Sequence, residues 1–282
     1  MILKQLAKLV GPLAMAVMVG VSAQAKEWTH LRIATEGAFP PYNMVMPDGK
    51  LAGFEIDLAA DLCRRMKVQC EVVAQDWDGI LPGLNAGKYD AIIAAMAITP
   101  KRLEVIAFSI PYVSSPTVFA TTKGSGIEAL PGDGTRIDLS DDAAARAVIE
   151  TMKAKLKGKV IGVQVSTTQS DFLNTYFKGT VEVRTYKTSD EFNLDLAAGR
   201  VDAVLAAAAN IKAAMDTADG KDIVFTGPYF GGGPIGIGSG IGLRKADPEL
   251  KQMFDGAIQA AAADGTLARL STQWFKIDLT PR

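Results

Sequence analysis

The sequence has no apolar run of the roughly 20 residues that a transmembrane helix needs. Its main apolar run, residues 9–21, follows Lys4 and Lys8 and precedes the small-residue motif of residues 23–25. This order is typical of a secretory signal peptide, with a membrane anchor as the alternative. We expect residues 1–25 to be removed and the mature chain to begin near Lys26. No cysteine stands at the cleavage point, which argues against a lipoprotein.

An excess of positive charge is also lacking. The formal net charge is -1, and it becomes -3 once Lys4 and Lys8 are removed with the signal peptide. A weakly acidic protein is a poor partner for a polyanion or an anionic membrane surface, so nucleic acid is not expected as a ligand. The chain of 282 residues is long enough for one large domain or two modest ones.

Histidine and cysteine are scarce. The only histidine is His30, and the only cysteines are Cys63 and Cys70. In an exported protein, two cysteines this close favour a short disulfide that joins a helix end to the next strand. A metal site is the alternative, but it would lack further ligands, since His30 lies near the mature N-terminus.

Two segments of the chain resemble each other. Residues 84–95 and 196–207 each contain the end of a helix, a glycine that caps it, and an aspartate that leads into a buried strand. Similar units in the two halves predict two α/β lobes of similar construction. Coincidence in an alanine-rich chain is the alternative.

Apolar periodicity predicts further elements. Strands are expected at residues 31–35, 160–165 and 224–226, and helices at residues 57–66 and 170–177. Residues 124–134 have the composition of a loop, and the charged run to Lys159 predicts a solvent-exposed helix of little functional content.

The glycine-rich residues 231–242 could be mistaken for a phosphate-binding loop. They lack the Lys-Ser/Thr pair of a P-loop, and no acidic residue follows at the spacing of a dinucleotide-binding fold. A flexible or closely packed extended connection explains the glycines better.

Four segments carry a family resemblance: residues 33–42, 53–58, 98–102 and 161–168. Together they resemble the periplasmic amino-acid-binding proteins of ABC uptake systems, solute-binding protein family 3, over essentially the whole mature chain. The likeness is greatest to the octopine- and nopaline-binding subgroup, through residues 34–37, residues 73–80 and the longer insertion at 124–159.

The resemblance implies an α/β, two-lobed periplasmic binding protein fold of type II. Each lobe would be a mixed sheet flanked by helices, and two hinge strands would join the lobes near Phe119 and Ile237. Lobe 1 would contain residues 26–118 and 238–282, and lobe 2 residues 119–237. The resemblance also implies a periplasmic monomer without cofactor or metal, which closes on a small amino-acid-like ligand and delivers it to an ABC transporter permease in the inner membrane.

The resemblance assigns roles to individual residues. Arg102 would bind the α-carboxylate of the ligand through two parallel charge-assisted hydrogen bonds, assisted by the backbone amides of Ala97 and Thr168. Glu36 would receive a guanidinium or ammonium at the far end of the ligand, and Phe39 and Trp77 would stack on it. The complete predicted site consists of Glu36, Phe39, Trp77, Ala95, Met96, Ala97, Arg102, Thr117, Gln164, Val165, Ser166, Thr167, Thr168, Gln169 and Ala207.

Two positions depart from the family pattern. Members that bind plain amino acids usually hold the α-ammonium with a hydroxyl that matches Ala97 and a carboxylate that matches Ala207. We therefore expect a ligand whose α-nitrogen is substituted, as in an opine, where it is a secondary amine with a second carboxylate-bearing arm. Gln164, Ser166, Thr167 and Gln169 could hydrogen-bond that arm. Free arginine, ornithine, lysine or histidine is the alternative, since Gln164 or backbone carbonyls could satisfy an ammonium.

Two other functions compete with a receptor. A dehydratase-like enzyme can share this fold, but the expected site holds no Ser/His/Asp or Cys/His set, so acid-base chemistry would depend on Glu36 alone. A sensory ectodomain is opposed by the lack of a transmembrane or kinase segment after the last residue, Arg282. No catalytic residue is expected.

Overall fold

Short strands and helices alternate along most of the chain. The computed structural model describes residues 27–281, and the predicted signal peptide lies outside the described residues. The strands are β1 (His30–Thr35), β2 (Ala38–Phe39), β3 (Asn43–Val45), β4 (Leu51–Ala52), β5 (Gln69–Ala74), β6 (Ala91–Ile92), β7 (Ala107–Phe108), β8 (Thr117–Thr122), β9 (Arg136–Asp138), β10 (Val160–Gln164), β11 (Glu182–Tyr186), β12 (Ala203–Ala207), β13 (Ile223–Gly231) and β14 (Gly242–Leu243). The helices are α1 (Phe54–Met66), α2 (Trp77–Asn85), α3 (Pro100–Leu103), α4 (Asp142–Leu156), α5 (Thr168–Tyr176), α6 (Ser189–Ala197), α7 (Ala208–Met215), α8 (Pro248–Ala263) and α9 (Thr266–Phe275).

The first lobe is built on a mixed sheet with the strand order β5-β1-β6-β14-β7. Strand β1 pairs in parallel with β5 and β6, and β14 pairs antiparallel with β6 and β7. Helices α1, α8 and α9 pack together and share one apolar core. In α1, Phe54, Leu58 and Leu62 recur every four residues and are fully buried, so one apolar stripe of the helix faces the core.

The second lobe contains a mixed sheet with the order β11-β10-β12-β8-β13-β9. Side chains of β8 alternate between two cores: Phe119 packs in the core with α4 and α5, while Val118 and Ala120 pack in the core with α6 and α7. Alternation follows from the pleat of a strand that is covered on both faces. The mixed sheets flanked by helices confirm the predicted fold class.

Residues 135–159 differ from the exposed helix that was predicted. Residues 136–138 form β9, which pairs in parallel with β13 at the edge of the second sheet. In α4, Ala145, Ile149, Met152 and Leu156 are buried in the core of the second lobe. Their spacing of four, three and four residues is that of an apolar helix face, which the many charged residues between them obscure in the sequence.

The two similar segments of the sequence have equivalent structures. Gly87 and Gly199 follow α2 and α6 with φ angles of 73° and 69°, the left-handed conformation that glycine adopts without a steric cost. The strands that follow, β6 and β12, pair in parallel with β1 and β10 in their sheets.

Two connections, residues 109–116 and 232–241, link the sheets and pair with each other. Ser239 N donates to Val113 O over 2.8 Å, and Tyr112 N donates to Ser239 O over 2.9 Å. A Cβ at Gly236 would lie 2.5 Å from Ile98 O, so the glycines of this connection allow close backbone packing. Ile237 lies in the second connection and Phe119 lies inside β8; the division into residues 26–118 with 238–282 and residues 119–237 stays a prediction.

A disulfide joins Cys63, in α1, to Cys70, in β5, with an S–S distance of 1.98 Å. The predicted short disulfide is confirmed. Within residues 27–281, none of the helices has the length and apolar character to cross a membrane.

Candidate ligand-binding site

A cavity of about 420 Å³ is lined by residues of both lobes and of both connections. Its volume falls in the range of roughly 300–1,000 Å³ that is usual for small-molecule sites. Glu36 follows β1, Gln164 ends β10 and Ala207 ends β12. The cavity therefore lies at the carboxyl ends of parallel strands, which is where ligands bind in open α/β sheets.

Most of the predicted site residues come together here. Those that line the cavity are Glu36, Phe39, Trp77, Ala95, Ala97, Arg102, Thr117, Gln164, Thr167, Thr168, Gln169 and Ala207.

Three predicted residues lie outside the lining. Met96 is fully buried in an apolar cluster of the first lobe. The backbone amide of Val165 donates to Tyr186 O over 2.9 Å. Ser166 instead contacts the other lobe, because its carbonyl accepts a hydrogen bond from the indole N–H of Trp77 over 3.3 Å.

Arg102 is held by a local helix start. Thr99 caps α3 by accepting from Arg102 N over 3.2 Å, and Pro100 is the first helical residue, where its missing N–H is harmless. The guanidinium donates to Ala97 O over 3.0 Å and lies 5.4 Å from the ring centroid of Trp77. Burial lowers the pKa of Arg102 to about 10, so it remains cationic at neutral pH. Four of its five N–H donors are not used by the bond to Ala97.

Glu36 is a buried carboxylate that contacts the opposite lobe. Gln164 Nε2 donates to Glu36 Oε1 over 2.5 Å and to Lys187 O over 2.9 Å. Burial raises the pKa of Glu36 to about 7; the hydrogen bond from Gln164 lowers it, and the charges of Glu55, Asp190 and Asp76 raise it. Such a group favours a cationic partner, since a positive charge would restore its ionised form.

The start of α5 contributes backbone donors. Thr167 is the N-cap, and its side chain accepts from Ser170 N over 3.2 Å. Thr168 and Gln169 begin the helix and line the cavity. The first N–H groups of a helix have no partner within the helix and favour an anion, so this end of the cavity suits a carboxylate.

Neither Ala97 nor Ala207 brings a polar side chain to the cavity that both residues line. Ala97 forms an antiparallel bridge with Ser239, and Ala207 is the N-cap of α7 without a side-chain hydrogen bond. At both positions the protein offers only backbone groups to a ligand.

Two residues near the cavity have a left-handed backbone that the sequence did not indicate. Ala95 has a φ of 47° and Ser166 a φ of 59°. Non-glycine residues in this region cost of order 1 kcal/mol and cluster at functional sites. Ala95 is fixed on both sides: its N–H donates to Glu55 over 2.6 Å and its carbonyl accepts from Ser239 Oγ over 3.0 Å.

Several lining residues were missed by sequence reasoning. They are Tyr42, Ala94, Ser114, Ser115, Pro116, Arg136, Ile137, Asp138, Phe192, Leu205, Ala206, Tyr229 and Gly231, together with residues of the second connection. Tyr42 stands directly after the recognised Phe39-Pro40-Pro41 and had a usable signal. Strand β9 had none, because three residues inside a predicted exposed segment carry no periodicity.

The fold and the cavity define a two-lobed α/β protein that binds a small charged solute between its lobes. The sequence of residues 31–277 matches the family model of the bacterial extracellular solute-binding proteins, family 3, and the chain belongs to this family.

Characterised relatives support this assignment. The chain is 47% identical over 285 residues to an octopine-binding periplasmic protein of Rhizobium meliloti, with 94% of this chain and 97% of the relative covered. It is 35% identical over 280 residues to an L-arginine-binding protein of Pseudomonas aeruginosa, with 98% of each covered. The crystal structure of a periplasmic His/Glu/Gln/Arg/opine family-binding protein from Silicibacter pomeroyi in complex with lysine is similar with a TM-score of 0.68 at 31% identity, covering 87% of this chain and 96% of that chain. Relatives of this kind are named as binding proteins rather than enzymes.

Proposed function

We propose that the protein is a periplasmic, monomeric receptor that binds an opine of the octopine or nopaline type and delivers it to an ABC permease in the inner membrane. The observation that carries the proposal is the presence of Ala97 and Ala207 on the cavity wall, beside a carboxylate anchor, Arg102, and a buried acid, Glu36. The named octopine-binding relative supports it.

A buried charge without a partner is costly for a binding site. A buried ammonium that loses its charged partner costs about 3–5 kcal/mol. Micromolar binding corresponds to about -8 kcal/mol, so this cost is a large share of the total. An opine carries its own second carboxylate next to the secondary amine. The protein therefore does not need to supply a charged partner for the amine at Ala97 or Ala207.

A receptor for free arginine, ornithine, lysine or histidine is the second candidate. The relative named as an L-arginine-binding protein favours it. The side-chain oxygen of Gln164 and the carbonyls that line the cavity would have to hold the α-ammonium in that case.

Calorimetry separates these two candidates. The purified protein, freed of endogenous ligand by partial unfolding and refolding, is titrated with octopine, nopaline, arginine, lysine and histidine. We expect at least tenfold tighter binding of one opine than of any free amino acid. Tighter binding of free arginine than of both opines would contradict the proposal.

Turnover is tested on the same preparation. We propose no catalysis, since Glu36 is the only buried carboxylate on the cavity wall of the described chain and would pair with a cationic group of the ligand. Incubation of each ligand for several hours, followed by mass spectrometry, should return it unchanged. Conversion that is abolished by Glu36→Gln would overturn the receptor function.

A further inference from the structure

Strand β9 brings two charged residues to the wall of the ligand cavity. Arg136 and Asp138 line the cavity and are exposed, whereas Ile137 between them packs against the core of the second lobe. Because side chains of a strand alternate between its faces, Arg136 and Asp138 lie on the face turned away from that core. An edge strand of the second sheet therefore supplies charge to the cavity.

Arg136 is available to a ligand. Within residues 27–281, its guanidinium has neither a hydrogen bond nor an ion pair with a described side chain. Its backbone is fixed by the parallel pairing of Arg136 with Tyr229 of β13, which also lines the cavity. A cation on a fixed strand, without an internal partner, is suited to bind an anionic group that arrives with the ligand.

Asp138 is held against the second connection. Its Oδ1 accepts from Ser140 N over 2.8 Å, and a Cβ at Gly232 would collide with the same oxygen. Gly232 has a φ of 69°, a conformation that glycine adopts readily. A glycine at this position thus leaves room for the carboxylate beside the cavity.

The charges on the cavity wall can be matched with ligand classes. The lining contains two cationic residues, Arg102 and Arg136, and two carboxylates, Glu36 and Asp138. A free basic amino acid offers one carboxylate and two cationic groups, so one arginine would have no anion to bind. An N-carboxyalkyl derivative of the same amino acid offers a second carboxylate, so each of the two arginines would have an anion to bind.

We infer that Arg136 is a specificity-determining residue that binds the second carboxylate of an N-carboxyalkyl amino acid, while Arg102 binds the α-carboxylate. The inference rests on the proposed function and names the part of the site that recognises the opine arm. Because Arg136 lies within residues 124–159, this segment would take part in ligand recognition.

The test compares octopine with arginine, which lacks the second carboxylate, on the wild-type protein and on Arg136→Gln. Charge-assisted hydrogen bonds contribute about 1.5–3 kcal/mol, so octopine affinity should fall about ten- to hundredfold. Arginine affinity should change less than threefold. Arg136→Lys, which retains the charge without the planar fork, should give an intermediate loss for octopine.

Arg184→Gln is the matched control, since Arg184 lies on β11, the opposite edge strand of the same sheet. It should leave both affinities unchanged, and the thermal midpoints of all variants should agree with the wild type. If the wild type prefers octopine and Arg136→Gln keeps that preference, the inference is wrong while the proposed function stands. If the wild type has no preference for octopine or nopaline over arginine, both are wrong.

Discussion

The side-chain amide of Gln164 donates a hydrogen bond to the carboxylate of Glu36 over 2.5 Å and joins the two lobes across the ligand cavity. Other bonds also cross between the lobes, among them the ion pair of Lys101 with Asp171 over 3.0 Å. Because the bond to Glu36 is buried, it affects both the arrangement of the lobes and the charge of this acid on the cavity wall.

Replacement of Gln164 should therefore change the titration of Glu36. The hydrogen bond from Gln164 lowers the pKa of Glu36, against the larger effect of burial. In Gln164→Leu, which removes the donor at similar volume, we expect the pKa of Glu36 to rise above its present value of about 7. Carbon-detected NMR of the labelled carboxyl group measures it. Gln69→Leu, at an exposed position of β5, is the control, and an unchanged pKa in Gln164→Leu would contradict the prediction.

Ligand affinity should depend on pH through Glu36. Its folded-state pKa of about 7 lies above the ordinary value of 4.5, so the acid is mostly protonated at pH 6 and ionised at pH 8. A cationic ligand group requires the ionised form, and we expect affinity to fall about tenfold from pH 8 to pH 6. Calorimetry at both values measures the change, and Glu36→Gln should bind weakly with a flat pH profile.

The raised pKa of Glu36 also makes the stability of the folded protein depend on pH. A carboxyl group whose pKa is raised on folding binds more protons in the folded than in the unfolded protein between pH 4.5 and about pH 7. The contribution of Glu36 to the free energy of unfolding is therefore present below pH 4.5 and is lost as the pH rises through 7. In Glu36→Gln this contribution should disappear, so the ligand-free variant should lose less stability than the wild type between pH 5 and pH 8 in urea titrations.

Arg102→Ala should remove most ligand binding. Two parallel charge-assisted bonds to a carboxylate are worth several kcal/mol, so a loss of at least a hundredfold in affinity is expected. Arg64→Ala, an exposed arginine of α1, is the matched control and should bind normally. Ligand affinity near that of the wild type in Arg102→Ala would show that another group anchors the carboxylate.

Glu55 is a buried acid outside the cavity lining that accepts hydrogen bonds from segments next to the cavity. It accepts hydrogen bonds from Asn43 Nδ2 over 2.6 Å, from Ala95 N over 2.6 Å and from the hydroxyl of Tyr112. Asn43 in turn accepts from Gly37 N over 2.7 Å, next to Glu36. Glu55 thus fixes two segments that line the cavity.

Glu55→Ala leaves three buried donors without an acceptor, so we expect it to lower the free energy of unfolding by about 3–5 kcal/mol. For a chain of this size that corresponds to a fall in Tm of roughly 6–20 °C by calorimetric scanning. Glu71→Ala, an exposed glutamate of β5, should change Tm by less than 2 °C. A similar small change in Glu55→Ala would refute the role of the network.

The disulfide should stabilise the fold without affecting the site. It closes a short loop, with a sequence separation of 7, and the chain-entropy relation gives about 2.5 kcal/mol for a loop of this length. The double variant Cys63→Ser with Cys70→Ser should unfold at lower urea concentration. It should still bind ligand as the wild type does, because Cys70 lies at the start of β5, whereas the cavity lies at the carboxyl ends of the strands. Weakened ligand affinity in the double variant at a temperature where it is fully folded would contradict this separation.

Local patterns predicted much of the molecule. The apolar periodicity of α1 and the repeated unit around Gly87 and Gly199 are confirmed by the structure. Each of these features depends on residues that are close in the chain, so the sequence shows them directly. The roles of the individual site residues stay predictions.

The sequence alone determined the alternation of strands and helices, the disulfide partners and the absence of polar side chains at Ala97 and Ala207. Only the tertiary structure decided that Gln164 meets Glu36, 128 residues away, and that Arg136 lies on the cavity wall. The physical reason is that secondary structure follows from short-range periodicity, whereas the composition of a cleft follows from how distant segments pack. The three residues of β9 reach the cavity wall only because they pair with β13 at the edge of the folded sheet.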